Sequence, residues 1–250
     1  MFLGMIKSRK KINGLHDRSF SGVFTKEYAE INAQIFTMEV VLNNQYESSL
    51  SVLSALKALG CKNLILAPEV STNSFNQQIS DAFKALEITQ SNQANLTNLN
   101  LKLAATYGLD ESILDVNQFL PIKDQVVLLK MPDEIAFSLT KEIVTELRMR
   151  GYSPLLTFPE THQNLQQDWA RFFELKSCGA LFQVSLLSLL SYNGEKTQIL
   201  SEWLLNNNLI DYVGSGLKPQ HLKFQTDWFR KPSVHQKLIH QVIPYNYQLL

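Results

Sequence analysis

The sequence predicts an α/β barrel, with parallel strands each followed by a helix and the sheet closed or nearly closed on itself. Three observations lead there. Short apolar runs alternate with helical patterns along almost the whole chain, giving roughly seven strand–helix repeats. Such repeats imply parallel strands covered by helices, because a parallel connection needs a crossover. At 250 residues, with no long low-complexity linker, a barrel holds these repeats better than an open sheet.

INAQIF, residues 31–36, is the first strand candidate. ESSLSVLSALKALG follows as a helix, with Leu50, Leu53, Leu56 and Leu59 on one face and Gly60 at its C-terminal stop. NLILAP is a buried strand ended by Pro68, which has no N–H to give a ladder. Residues 74–86 read as a helix with Ser74 as N-cap. QSNQANLTNLN is a polar loop, and NLNLKLAATY and QVVLLKM are the next strands. After Pro132, Asp133 is the expected N-cap of a helix in which Ile135, Leu139, Ile143 and Leu147 recur every four residues, up to Gly151. SPLLTF is a strand and LQQDWARFFELKS a helix; GALFQVSLLSLL begins as a strand. KTQILSEWLLNNN is a helix and IDYVGSG the last strand, with a final helix over 232–240 before PYNYQLL. Residues 1–25 read as a basic tail and 26–250 as one barrel domain.

In barrels of this kind, chemistry collects at the C-terminal strand ends. Here those ends are Gln34, Pro68–Glu69, Thr106–Tyr107, Lys130–Met131, Phe158–Glu160, Leu186–Leu187 and Gly214–Lys218.

Composition narrows the function classes. The formal net charge is zero, which excludes a wholly basic nucleic-acid surface, so no nucleic acid is expected as partner. Cys61 and Cys178 are the only cysteines and lie far apart, so neither a disulfide framework nor a zinc ribbon is expected, and a cytoplasmic location is. The opening MFLGMIKSRKKINGLHDRSF puts a short apolar run before Lys7, Arg9, Lys10 and Lys11, the reverse of a secretory leader. It reads as a basic tail, with weak contact to an anionic membrane surface as the sharper alternative. No transmembrane segment is expected, because no stretch approaches the ~20 apolar residues of a span.

Five stretches in order, ESSLSVLSALKALGCKNLILAPEV, AATYGLDE, TELRMRGYSPLLTFPE, LLSLLSYNGE and LIDYVGSGL, together resemble one family. It is the CpsB/CapC type of bacterial metal-dependent protein-tyrosine phosphatase. The resemblance implies a distorted (β/α)7 TIM-like barrel of the PHP (polymerase and histidinol phosphatase) type, with a metal cluster at its mouth. The family's Asp-x-His-x-His falls on Glu30, Asn32 and Gln34, and its Asp-Asp-Gly on Val40, Val41 and Leu42. Its Thr-Pro-His falls on Ala67, Pro68 and Glu69, and its third-strand Glu on Thr106. Its His-Pro-Glu-Arg falls on Phe158, Pro159, Glu160 and Thr161, and its Gly-Ser-Asp-x-His on Gly214, Ser215, Gly216, Leu217 and Lys218. The scaffold residues are kept and the ligand types are replaced.

That family would use manganese or a similar divalent metal to activate water and hold phosphoryl oxygens. Imidazoles and carboxylates hold such ions well. Asn32 and Gln34 are neutral amides, Phe158 has no lone pair, Gly216 offers only backbone, and Lys218 is a cation that repels metal. Only Glu30 and Glu69 keep acidic oxygens at ligand positions. The expectation is therefore no cofactor and no catalytic residue, with the Lys218 ammonium within ion-pair reach of Glu30 or Glu69.

Other chemistries find little support. Cys178 lacks the Arg of a Cys-x5-Arg loop, GSGLK lacks P-loop spacing, and there is no G-x-S-x-G elbow. His162 and His221 read as loop histidines, and Trp169, Phe172 and Phe173 as helix packing. The expected function is that of a catalytically inactive relative, a binding or regulatory protein in capsular or exopolysaccharide biosynthesis. The resemblance implies as partner the tyrosine-rich tail of a bacterial tyrosine kinase, or another polysaccharide-export component. The alternative is an active protein-tyrosine phosphatase or related phosphoesterase with a reduced metal site drawing on Glu30, Glu69, Glu160 or His162. A third reading is a structural subunit that assembles through its outer helices.

Overall fold

The computed structural model describes residues 24, 28–32, 35–37, 40, 43, 46–70, 77–229 and 246. Every ladder between its named strands is parallel. β1 (Ala29–Asn32), β2 (Asn63–Leu66) and β4 (Asn100–Leu103) form one sheet in the order β1-β2-β4. β3 (Glu69–Val70), β5 (Thr106–Gly108), β6 (Val126–Lys130), β7 (Ser153–Thr157), β8 (Leu181–Ser185) and β9 (Tyr212–Gly214) form the other, in the order β3-β5-β6-β7-β8-β9.

The two sheets are halves of one wall. β2 and β3 are separated only by Ala67 and Pro68, and β4 and β5 only by Ala104 and Ala105. Backbone bonds bridge the gap, from Ala104 N–H to Leu66 O (2.9 Å) and from Thr106 N–H to Pro68 O (2.9 Å). Each pair is thus one strand kinked at the level of Pro68, and the wall counts seven strands, the (β/α)7 arrangement the sequence predicts.

β9 and β1 lie side by side, with no backbone ladder between them among the described residues. Side chains join them instead. The buried Asn246 amide donates to Ala29 O (2.6 Å) and Val213 O (2.7 Å), while its Oδ1 accepts from Val213 N–H (2.9 Å). Gln183 Nε2 donates to Ile31 O across the same seam (3.1 Å). Gly214 makes this approach possible, since a Cβ there would stand 2.5 Å from Gln183 Nε2 and 2.9 Å from Ile31 O.

Two apolar layers follow from the strand pattern. Ala29, Ile31, Ile65, Ala67, Leu128 and Leu155 pack together as the smaller cluster. The opposite residues of the strands meet the helices, with Leu64, Leu66, Leu129 and Phe182 packed against Leu53, Leu56, Ile143, Leu147 and Phe172. Both-face burial explains why these strands read as continuous apolar runs. Each fully buried Leu or Ile contributes roughly 1.5–3 kcal/mol, so this helix-facing layer dominates the favourable side of folding.

Among the described residues, the named α-helices are α1 (Glu47–Ala58), α2 (Gln77–Ser91), α3 (Phe137–Met149), α4 (Gln163–Gln167), α5 (Ala170–Ser177), α6 (Leu186–Leu189), α7 (Glu195–Asn206) and α8 (Leu222–Phe229). α1 buries Leu50, Leu53 and Leu56 as its spacing predicts, and Gly60 follows it at φ +96°.

Several boundaries differ from expectation. β1 lies earlier than INAQIF, and Ile35 and Phe36 occupy a buried bend after it. α2 runs on to Ser91, because Gln90 turns inward and donates to Leu96 O (2.5 Å); its expected cap Ser74 lies outside the described residues. α3 begins after Ala136, not Asp133, with no side-chain cap. LQQDWARFFELKS breaks at Asp168, whose Oδ1 accepts Ala170 N–H (3.2 Å) and opens a second helix. α8 was not expected, and the helix expected over 232–240 lies outside the described residues.

Candidate functional site

The seven strand ends converge on a cavity of about 550 Å³. Each strand contributes to its wall: Ile31 from β1, Glu69 from β3, Thr106 from β5, Lys130 from β6, Thr157 and Phe158 from the end of β7, Ser185 from β8, and Gly216 and Lys218 beyond β9. Asp133, Thr161, His162, Tyr192, Asn193 and Gln225 add the loops above.

Glu30 is fully buried and does not face this cavity. Its Oε1 accepts from Ser215 N–H (2.9 Å) and the Ser215 hydroxyl (2.6 Å), and its Oε2 from the Tyr28 hydroxyl (2.6 Å). Burial first, then the charge of Glu30, pushes the Tyr28 pKa well above its ordinary value, so that hydroxyl stays a donor. The carboxyl therefore ties β1 to the loop after β9. Nearby Cys61 is an inert thiol whose pKa burial pushes upward.

Glu69 sits at the open rim. Lys130 Nζ lies 2.7 Å and 2.8 Å from its two oxygens, both side chains about half exposed. This corrects the expected role of Lys218. Its ammonium makes no ion pair with either glutamate; its side chain is exposed and its N–H donates to Gln225 Oε1 (2.8 Å). The physical reason is distance along the wall. Glu69 meets the lysine at the end of β6, two strands away in the same ladder order, and Glu30 turns back into the seam.

The remaining positions fall as follows. Thr106 is buried, its hydroxyl donating to Ala67 O (2.9 Å). Phe158 adopts φ +51°, ψ +46°, a left-handed conformation rare for an aromatic, and its ring stands 3.3 Å from where a Gly214 Cβ would be. Thr161 is exposed, with its hydroxyl turned back to Phe158 O (2.8 Å). Gly216 has φ +71°, and a Cβ there would meet Ser185 Oγ at 2.6 Å, so the backbone here leaves no room for a ligating side chain. Asn32 ends β1, and Gln34 lies outside the described residues.

Glu160 is fully buried, and its Oε1 accepts from Ser185 N–H (2.9 Å). The Ser188 hydroxyl is its other polar neighbour, though Oε2 makes no hydrogen bond of good geometry. Burial pushes its pKa up to about 7. His162 is buried at the cavity wall, its Nε2 2.7 Å from Pro132 O.

The sequence marked Lys130 as a strand end without a partner, gave Asp133 only the role of a helix cap, and did not single out Ser185. The signal for Lys130 was present: a charge ends the apolar run VVLLK at a strand tip. Ser185 was missed because β8 ends one residue before the expected Leu186.

A metal cluster of the family type does not fit this donor set. Glu30 is occupied by three donors, Glu69 by a lysine, and Phe158 and Gly216 bring no ligand atom from their side chains. Among the described residues, no three His, Cys, Asp or Glu side chains come together as a metal would require.

The seven-stranded parallel wall with its site at the strand ends agrees with the PHP-type α/β barrel that the sequence leads one to expect. The family model described as capsular polysaccharide synthesis, CpsB/CapC, matches residues 43–225, and the chain belongs to that family. CapC of Staphylococcus aureus, which carries the name of a tyrosine-protein phosphatase, is 25% identical over 136 residues, 53% of each chain. The tyrosine-protein phosphatase YwqE of Bacillus subtilis strain 168 is 26% identical over 110 residues, 44% of this chain and 43% of its own. The chain spans about half the length of the curated relatives it matches. A solved chain from the structures of YwqE of Bacillus subtilis and CpsB of Streptococcus pneumoniae superposes with a TM-score of 0.69 at 17% identity, covering 89% of this chain and 93% of that one.

Those solved proteins are described as unique metal-dependent tyrosine phosphatases. The expectation of no cofactor is corrected accordingly: metal dependence belongs to the relatives' chemistry, and replaced residues in one sequence do not remove it from the family.

Proposed function

We propose that this chain is a catalytically inactive binding member of its family, serving capsular polysaccharide synthesis by holding a tyrosine-rich protein segment at the barrel mouth. One observation supports this reading: the two acids kept at the positions where the resemblance places metal ligands are committed to other partners, Glu30 to Ser215 and Tyr28, Glu69 to Lys130. What is left is a cavity lined by both polar and apolar side chains, suited to binding. The partner comes from the family resemblance, a tyrosine-rich tail of a bacterial kinase. The reading takes residues 26–250 as the barrel unit with a basic tail before it, located in the cytoplasm. Two free cysteines support that location. No helix among the described residues is long and apolar enough to cross a membrane.

The test is hydrolysis of a phosphotyrosine peptide by the full chain with manganese added in excess. The expected result is no turnover above the protein-free control. Turnover that Glu69→Ala abolishes would replace this reading with that of a working phosphatase.

A further inference from the structure

We infer that the mouth cavity receives the neutral side chain of an unphosphorylated tyrosine and discriminates against phosphotyrosine. This rests on the proposed binding of a tyrosine-rich segment and names the form of it that is bound.

Charge comes first. Among the described residues, the lining carries two acids, Glu69 and Asp133, and two lysines, Lys130 and Lys218. Lys130 is held at both Glu69 oxygens, which among the described residues leaves Lys218 as the lysine of the lining without an ion pair and Asp133 as a second carboxylate on the same lining. A phosphotyrosine brings about −1.5 to −2 charges at pH 7. The formal charges of the described lining residues cancel and offer it no net attraction, and Asp133 opposes it.

Donors come next. Phosphoryl groups are recognised by charge-assisted forks, above all from arginine. Among the described residues, no arginine lines this cavity. Thr161 stands where the resemblance places the family's Arg, and its hydroxyl is spent on Phe158 O. Gly216 adds no side chain, and Thr106 and Thr157 turn their hydroxyls to backbone carbonyls at Ala67 and Leu129.

The apolar part of the wall fits a ring. Phe158, forced into its left-handed conformation, lays its side chain against Gly214, with Ile31, Leu128 and Met131 on the same lining. A tyrosine gains from aromatic contact and area burial while its hydroxyl needs a single polar partner. Asp133 accepts from a phenol, and it does so only while the phenol is unmodified.

The experiment is calorimetric titration of the full chain with one synthetic tyrosine-rich peptide in unmodified and fully phosphorylated forms, at physiological salt. The unmodified peptide is expected to bind at least about tenfold more tightly. Asp133→Asn, an exposed position, should narrow that ratio by strengthening the phosphorylated form. Phe158→Ala should weaken the unmodified form by about tenfold. Equal or tighter binding of the phosphorylated peptide overturns the inference and leaves the proposed binding function standing. Binding of neither form overturns both.

Discussion

Glu30 and Glu69, the two acids kept at the positions where the resemblance places ligands, lie on the first and second strands of the wall and do opposite kinds of work. Glu30 is sealed in the seam between β1 and β9, where three hydrogen-bond donors converge on it. Glu69 lies at the rim, in an ion pair whose side chains are 54% and 44% exposed. One carboxyl belongs to the fold and the other to the surface. Residue type alone does not decide which; burial does, because a buried acceptor without its donors has no water to replace them.

The sharpest way to break this comparison is to remove each carboxylate in turn. Glu30→Ala strands the Ser215 N–H and hydroxyl and the Tyr28 hydroxyl in a dry interior. The expected cost is roughly 3–5 kcal/mol, from several unmet donors at once. It should appear in urea denaturation as a lowered midpoint with an unchanged slope. Because Asn246 and Gln183 still bridge the seam, the variant should fold to the same secondary structure. A loss below about 1 kcal/mol would show that Glu30 is no latch.

Glu160 tests whether burial or partnership sets the outcome. It is as buried as Glu30 but accepts one firm hydrogen bond, from Ser185 N–H. Burial raises its pKa from 4.5 to about 7. Between those values the folded state holds a proton that the unfolded chain releases. Stability is therefore fully present below about pH 4.5 and is lost as pH rises toward 7, levelling off above it. The full loss is on the order of 3 kcal/mol at that shift. Glu160→Gln cannot ionise, so its denaturation midpoint should lack this fall, and the gap between variant and native chain should open between pH 5 and 7. A parallel pH profile in the two proteins would place the titration elsewhere.

The same contrast shows what the sequence can and cannot disclose. The alternation of apolar runs with helical patterns carried the barrel, because strands buried on both faces leave continuous runs such as NLIL and VVLL. The convergence of Glu69, Thr106, Phe158 and Lys218 on one cavity was legible from their strand ends. The partners were not. The sequence pointed to Lys218 as the ion-pair partner of a surviving glutamate, and the structure gives that role to Lys130. Parallel register places Glu69 beside Thr106 and Thr106 beside Leu128, and that pairing exists only once the ladder forms. The seam was equally hidden. Asn246 closes the wall from 217 residues beyond Ala29, and nothing in its neighbourhood marks it as a surrogate strand. Local pattern reports which residues end strands; which side chains meet there depends on register and curvature.

The smallest effect belongs to the rim. Glu69→Ala frees Lys130 but exposes nothing that water cannot solvate. At this exposure an ion pair contributes about 0–1 kcal/mol, less at high salt, so thermal stability should barely move. The consequence should fall on binding. With Glu69 gone, the described lining keeps Asp133 against Lys130 and Lys218, and its formal charge rises from zero to plus one. The phosphorylated peptide should then gain several-fold in affinity while the unmodified one changes little, an effect that fades as salt is raised. Lys130→Ala should do the reverse, leaving two acids facing Lys218. If the two substitutions shift phosphopeptide affinity in the same direction, the rim pair acts through shape and not through charge.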